Sequence, residues 1–165
     1  MVLVIIIILA ILAGCAANCF ISQSFRGEVH SDNTELFPIN LENCPTVIED
    51  KYYLSELPEG FEIVSIRLNP FSMTLIYENK QTGKTITFNQ MTKPEFTPIH
   101  YNTEKSELVK VEINGYSGVF LDISNDKQTF TGIIWDNGDY ILELFGDMTK
   151  NNLINLANSA KISEN

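Results

Sequence analysis

Apolar and polar positions divide the 165-residue chain into three regimes. Met1 to Ala17 are all apolar or Gly/Cys, Asn18 is the first polar side chain, and residues 1–21 carry no charge. Residues 22–45 are polar and lack periodicity, which predicts a tether with at most a short turn. Periodic apolar positions begin near Thr46. Val47, Ile48, Tyr52, Tyr53 and Leu54 predict a short helical entry segment, ended by Leu57-Pro58-Glu59-Gly60. Phe61–Leu68 is a β-branched run closed by Asn69-Pro70. Phe71–Glu78 alternates, with Phe71, Met73, Leu75 and Tyr77 on one face, and Asn79–Gly83 turns it into Lys84–Gln90, where Ile86 and Phe88 point inward.

Residues 91–106 form a longer excursion containing Pro94 and Pro98. Glu107–Ile113 alternates again, and Asn114-Gly115 marks a two-residue hairpin because both central positions need φ > 0. Tyr116–Ile123 follows, with a turn at Ser124–Lys127. Gln128–Trp135 and Asp139–Phe145 make a further hairpin around Asp136-Asn137-Gly138. The period then switches. Asp147 or Thr149 can cap a helix with Leu153, Ile154, Leu156, Ala157 and Ala160 on one stripe. The expected fold is α+β: a curved antiparallel sheet of about six strands covered by a C-terminal amphipathic helix, behind an N-terminal hydrophobic membrane segment. The expected organisation is residues 1–21 as transmembrane anchor or lipoprotein signal, 22–45 as polar tether and 46–165 as an extracytoplasmic domain.

At about 1.5 Å per residue, a helix of the first 17 residues spans roughly 25 Å, against a bilayer core of about 30 Å. Two readings fit. One is a retained signal-anchor helix. The other is a lipoprotein signal cut before Cys15, because Leu12-Ala13-Gly14-Cys15 resembles the bacterial lipobox, in which the cysteine thiol carries the lipid. Both place the chain beyond residue 21 outside the cytoplasm, on a cell membrane. A signal segment ordinarily starts with Lys or Arg, and this one starts Met-Val-Leu, so translation from an upstream start is a further expectation.

The remaining roughly 140 residues suffice for one domain with a core. They hold all of the charge, 11 basic and 21 acidic side chains, for a net −10. That balance opposes binding to nucleic acid or to anionic lipid, which need basic patches. Of the three cysteines, Cys15 is the candidate lipidation site, and Cys19 and Cys44 could then pair as a disulfide. There is no CxxC, no P-loop, no GxGxxG, no HExxH and no GxSxG, so no metal, cofactor or catalytic set is expected. His100 lies in the irregular excursion and His30 in the tether. Glu49/Asp50, Asp136/Asp139 and Glu143 are the carboxylates available for acid chemistry of the glycosidase type. Asp136-Asn137-Gly138-Asp139 is too short for a twelve-residue calcium loop and reads as a hairpin turn. The strand aromatics read as core. A groove lined by residues such as Met73, Phe88 and Phe130 is the alternative, suited to a lipid tail or a peptide.

Several segments carry a family resemblance. They are Leu57-Pro58-Glu59-Gly60-Phe61; Tyr77-Glu78-Asn79-Lys80 with Gly83, Ile86, Phe88 and Gln90; Asn114-Gly115-Tyr116 with Gly118; Ile134-Trp135-Asp136-Asn137-Gly138-Asp139-Tyr140 with Leu144 and Gly146; and Leu153-Ile154-Leu156-Ala157-Ser159. In this order the chain resembles the bacterial domain of unknown function 4367, over residues 46–162. The resemblance implies an extracytoplasmic domain on a single-pass protein or lipoprotein of Gram-positive, clostridia-like bacteria. It also implies a link, in some members, to sigma-factor or anti-sigma regulation. It supplies no catalytic residues. The layout is also similar to lipoprotein-carrier folds, an analogy of fold alone.

The expected function is a membrane-tethered, non-enzymatic extracytoplasmic domain that binds an envelope protein or ligand, with envelope sensing as its role. The alternative is a carrier holding an acyl chain or other apolar ligand in a groove of the sheet. A hydrolase using paired carboxylates is a third reading. The two membrane readings separate by mass spectrometry of membrane-extracted protein beside a Cys15→Ala variant. The lipoprotein reading expects a mature chain that begins at a lipidated Cys15, and an intact Met1 contradicts it.

Overall fold

The computed structural model describes residues 17–20, 24–29, 34–39, 41–101, 108–122 and 130–163. The apolar segment up to residue 16 and the turn expected at Ser124–Lys127 lie outside them. Two antiparallel runs of strands meet side by side. The first is β5 (Phe61–Leu68), β6 (Ser72–Asn79) and β7 (Lys84–Thr92). The second is β9 (Val109–Ile113), β10 (Tyr116–Asp122), β11 (Thr131–Asp136) and β12 (Tyr140–Gly146). β7 pairs with β12, giving one seven-stranded antiparallel sheet in the order β5-β6-β7-β12-β11-β10-β9. The excursion after β7 carries the chain from the middle of the sheet to its far edge.

Two smaller sheets flank it. Strands β1 (Ala17–Phe20), β2 (Phe25–Val29), β3 (Thr34–Pro38) and β8 (Ile99–Tyr101) form one. Strands β4 (Tyr52–Leu54) and β13 (Ala160–Ile162) form the other. The one helix near the C-terminus is α1 (Lys150–Asn158). Its N-cap is Thr149, whose hydroxyl accepts from the Asn152 N–H at 3.4 Å. Among the described residues no helix is long and apolar enough to cross a membrane.

Alternation along the strands separates two apolar layers. On the first face, Met73, Leu75, Tyr77, Ile86, Phe88, Trp135, Leu142 and Leu144 join Leu153, Leu156 and Ala157 of α1 in the larger cluster. On the second face, Val119, Leu121, Ile134 and Ile141 meet Phe25 of β2, Leu36 of β3 and Phe96. The hairpin expected at Asn114-Gly115 is present, with φ of 52° and 82°, and the Asn114 N–H donates to Asn158 Oδ1 of the helix at 2.8 Å.

Three expectations change. The main sheet has seven strands rather than about six. The segment expected to be a helix around residues 47–54 is not helical: it runs irregularly to Lys51 and forms β4 at Tyr52–Leu54. Sheet side chains satisfy its backbone there: Tyr140 Oη accepts from the Glu49 N–H at 3.1 Å, and Tyr77 Oη accepts from the Leu54 N–H at 3.2 Å. Gln90 accepts from the Tyr52 N–H at 3.0 Å and donates to the Asp50 carbonyl at 2.6 Å. With external partners for its N–H and C=O groups, the segment needs no helical bonds. The third correction concerns the tether, 22–45, which carries β2 and β3, while the end of the apolar run forms β1. Phe25 and Leu36 are 0% exposed, and burial of these two side chains on the second face holds the strands in place.

Gln90 is itself 0% exposed. Gln90→Leu keeps the volume but strands one N–H and one C=O of the entry strand. A loss of about 2–4 kcal/mol is expected in urea denaturation. A change within about 0.5 kcal/mol, the size of an ordinary surface substitution, contradicts the clamp.

A groove with a buried carboxyl on the second sheet face

Strand register places one row of side chains across the second face: Arg67, Thr74, Asn89, Glu143 and Ile134, each opposite the next. Directly opposed residues of an antiparallel pair share a face. Glu143 therefore points away from the packed first layer. It sits at the floor of a groove of about 480 Å³ lined by Asn69, Phe71, Ser72, Met91, Glu95, Thr97 and Phe145. Phe71, Met91 and Phe145 give the groove an apolar side. Phe130, partly exposed, stacks on Phe145 with ring centres 5.9 Å apart.

Glu143 is 6% exposed. Its Oε2 accepts from Asn89 Nδ2 at 2.9 Å. Burial raises its pKa above the ordinary carboxylate range, and the Asn89 hydrogen bond offsets part of that rise. No salt bridge within the described residues engages this carboxyl. A carboxyl held this way prefers its proton or a donor from a ligand.

One wall of the groove is pinned by a buried ion pair. Lys93 Nζ lies 2.9 Å from Asp136 Oδ1, with side-chain exposures of 3% and 6%. Lys93 opens a short 3-10 turn, Lys93–Glu95, so the pair fixes the chain that presents Glu95 and Thr97. Removing one partner of such a pair leaves a buried charge uncompensated, so the pair ties this turn to the end of β11.

The carboxylates named from sequence are dispersed. Glu49 and Asp50 are exposed, and their N–H groups point to Tyr140 Oη. Asp136 is taken up by Lys93 and by the Gly138 N–H, 2.8 Å from Oδ1. Asp139 is exposed in the turn, where Asn137 Oδ1 accepts from the N–H groups of Asp139 and Tyr140. Those bonds account for Asp136-Asn137-Gly138-Asp139 as a hairpin turn. Among the described residues no three His, Cys, Asp or Glu side chains converge on a metal position. Glu143 alone of the named carboxylates enters the groove. Its companion there, Glu95, was missed, because it belongs to the excursion that has no period to place it.

The trio Met73, Phe88 and Phe130 is not brought together. Met73 and Phe88 are packed inside the first layer, 4% and 0% exposed, and Phe130 stacks with Phe145 on the opposite face. His100 lies on β8 opposite Glu35, with its side chain outside the described residues, as are His30 and Cys15. Cys19 lies on β1 opposite Gly27. The Cys44 thiol donates to the Leu41 carbonyl at 3.1 Å. The Cys19 side chain lies outside the described residues, and so does the expected pairing.

The model of one protein family, Domain of unknown function (DUF4367), matches residues 51–159, and the chain belongs to that family. The match takes in the main sheet and α1, including Asn89, Lys93, Glu95, Asp136 and Glu143. No curated protein matches the chain, and no solved structure does.

The raised pKa of Glu143 has a definite sign for stability. The folded state holds this proton more tightly than the unfolded chain does. Stability therefore falls as pH climbs from the ordinary Glu value of about 4.3 through the folded-state value, and the loss is complete above it. Glu143→Gln keeps an acceptor for Asn89 and removes the titration. At neutral pH the variant is expected to gain on the order of 1 kcal/mol, a rise of a few degrees in Tm. Below pH of about 4 the difference should vanish. A variant less stable than the parent at neutral pH contradicts the assignment.

Proposed function

We propose that the protein is a membrane-tethered, non-enzymatic domain facing outside the cytoplasm, and that the groove over Glu143 binds a basic, apolar segment of an envelope partner. The single observation that carries the binding site is the buried Glu143 carboxyl at the groove floor, with Asn89 as its hydrogen-bond donor. A buried carboxyl at a central strand costs stability, and such costs concentrate at functional sites. The tether rests on the uncharged residues 1–21 and the Leu12-Ala13-Gly14-Cys15 motif.

The groove selects its occupant by chemistry. Phe71, Met91 and Phe145 accept an aliphatic stem, while Glu143 and Glu95 accept donors at its end. A lysine or arginine side chain offers both parts in one group. A net charge of −10 draws such a partner in from a distance. An acyl chain is the rival occupant. It matches the aromatic wall but brings the Glu143 carboxyl no donor beyond Asn89 and no opposite charge. Occupancy by a partner segment makes the domain a reporter of envelope state, in keeping with the regulatory context expected of its family.

Two small probes separate these occupants by NMR. Nα-acetyl-lysine amide should shift the amides of Asn89, Met91, Glu143 and Phe145 saturably, with weak affinity, on the order of millimolar. Nα-acetyl-norleucine amide, which lacks the ammonium, should not. Glu143→Gln should weaken the lysine response about tenfold or more. Equal responses to both probes favour an apolar-ligand groove, and no response from either contradicts the site.

A further inference from the structure

The seven-stranded sheet ends in two different edges. β9 is a five-residue edge bearing the exposed charges Lys110 and Glu112, the usual protection against strand addition. β5, the other edge, is eight residues long and ends the strand order. Its surface is unusual. Of the ten large hydrophobic side chains exposed among the described residues, four lie on β5: Ile63, Val64, Ile66 and Leu68, at 46%, 43%, 62% and 51%. An edge that combines open backbone groups with exposed aliphatic side chains is a template for a further strand.

The sequence of β5 says which strand. Pairing with β6 breaks register between Ile63 and Ser65, so a bulge stands at the middle of the strand. On one side of the bulge are Phe61, Glu62 and Ile63; on the other are Ile66, Arg67 and Leu68. Ile63, Ile66 and Leu68 lie opposite Tyr77, Leu75 and Met73, and Phe61 opposite Asn79, so all four share the first face. Arg67 is opposite Thr74 and Glu62 opposite Glu78, on the second face.

The strand is thus complementary to itself reversed. Two copies of β5 laid antiparallel about a two-fold axis through the bulge put Phe61 opposite the second copy's Leu68, and Ile63 opposite its Ile66. They also put Glu62 opposite its Arg67. Every apolar pair then falls on the first face and every charged pair on the second. A bulge ordinarily twists an edge away from a partner. Centred on the axis, the two bulges oppose each other and leave regular arms of equal length on either side. Glu62 has a salt bridge to Lys80 in the monomer, but its side chain is 55% exposed and Lys80 70%, so the carboxylate stays open to a second cation.

We propose that two copies of this chain join through β5 in this register, making one continuous fourteen-stranded antiparallel sheet across a two-fold axis. An isologous contact of this kind closes on itself and satisfies both edges at once. The floor of the groove, Met91 on β7 and Glu143 on β12, lies two and three strands in from this edge.

Charge exchange tests the register. The full chain, in an uncharged detergent, is followed by sedimentation velocity over a concentration series. Glu62→Arg and Arg67→Glu each place like charges opposite one another twice per dimer, and each should raise the dimer dissociation constant about tenfold or more. The combined Glu62→Arg/Arg67→Glu exchange restores the pairing and should return the constant to within about threefold of the parent. Ile66→Lys, at an exposed position, should also give a monomer with an unchanged thermal transition. A parent chain that stays monomeric overturns the proposal. So does a dimer indifferent to the single exchanges, which is what association through residues 1–21 would give, or a double exchange that fails to restore association.

Discussion

Every side chain of β11 is withdrawn from water, and along β12 only Phe145 keeps partial exposure. A strand pair buried on both faces must be covered twice, and the rest of the fold supplies the two covers. On the first face, Leu153, Leu156 and Ala157 of α1 join Ile133, Trp135, Leu142 and Leu144. On the second, Phe25, Leu36 and Phe96 meet Ile134 and Ile141. Each such side chain is worth about 1.5–3 kcal/mol when fully buried. The short, polar-looking N-terminal strands therefore matter out of proportion to their length. They pack over Val119, Leu121, Ile134 and Ile141 of the second face, and the groove lies beside them over β7 and β12.

Polar groups inside this frame do positional work. Tyr77, Gln90 and Tyr140 reach from the centre of the sheet to the backbone of the entry strand, and Lys93 and Asp136 lock the turn beyond β7. Glycines permit close approach at two points on the same strands. A Cβ on Gly118 would stand 2.8 Å from the Ile134 carbonyl oxygen, and Gly132 lies beneath the Phe145 ring. Against that background Glu143 is the exception. Asn89 engages its carboxyl, yet burial outweighs that bond, so the group holds its proton more tightly than an ordinary glutamate. A strand that could have carried another isoleucine at this position carries a group whose burial opposes folding.

Much of the sheet was legible because period and turn chemistry agreed. Asn114-Gly115, Asp136-Asn137-Gly138 and the alternation of Met73, Leu75 and Tyr77 mark strands and turns that the structure contains. The entry segment was misread because its partners are side chains far along the chain, Gln90 and Tyr140, which local pattern cannot reveal. The strands in residues 22–45 were missed because Phe25 is an isolated apolar residue and Leu36-Phe37-Pro38-Ile39 shows no alternation and contains a proline. Met73 and Phe88 were grouped with Phe130 because alternation shows which residues share a face within one strand, not which face the next strand joins to it. Glu143 was visible only as one carboxylate among several. The informative sign was its place in Tyr140–Gly146, a strand apolar on both faces in which it is the one charge.

The binding account rests on the ionisation of that carboxyl, which can be followed directly. The side-chain carboxyl carbon of Glu143, assigned by NMR in the full chain, titrates with a midpoint set by its own environment. A midpoint above the ordinary value of about 4.3 is the result that burial at the floor of the groove predicts. A midpoint at or below that value means the carboxyl is solvated or paired with a cation, and contradicts the central claim.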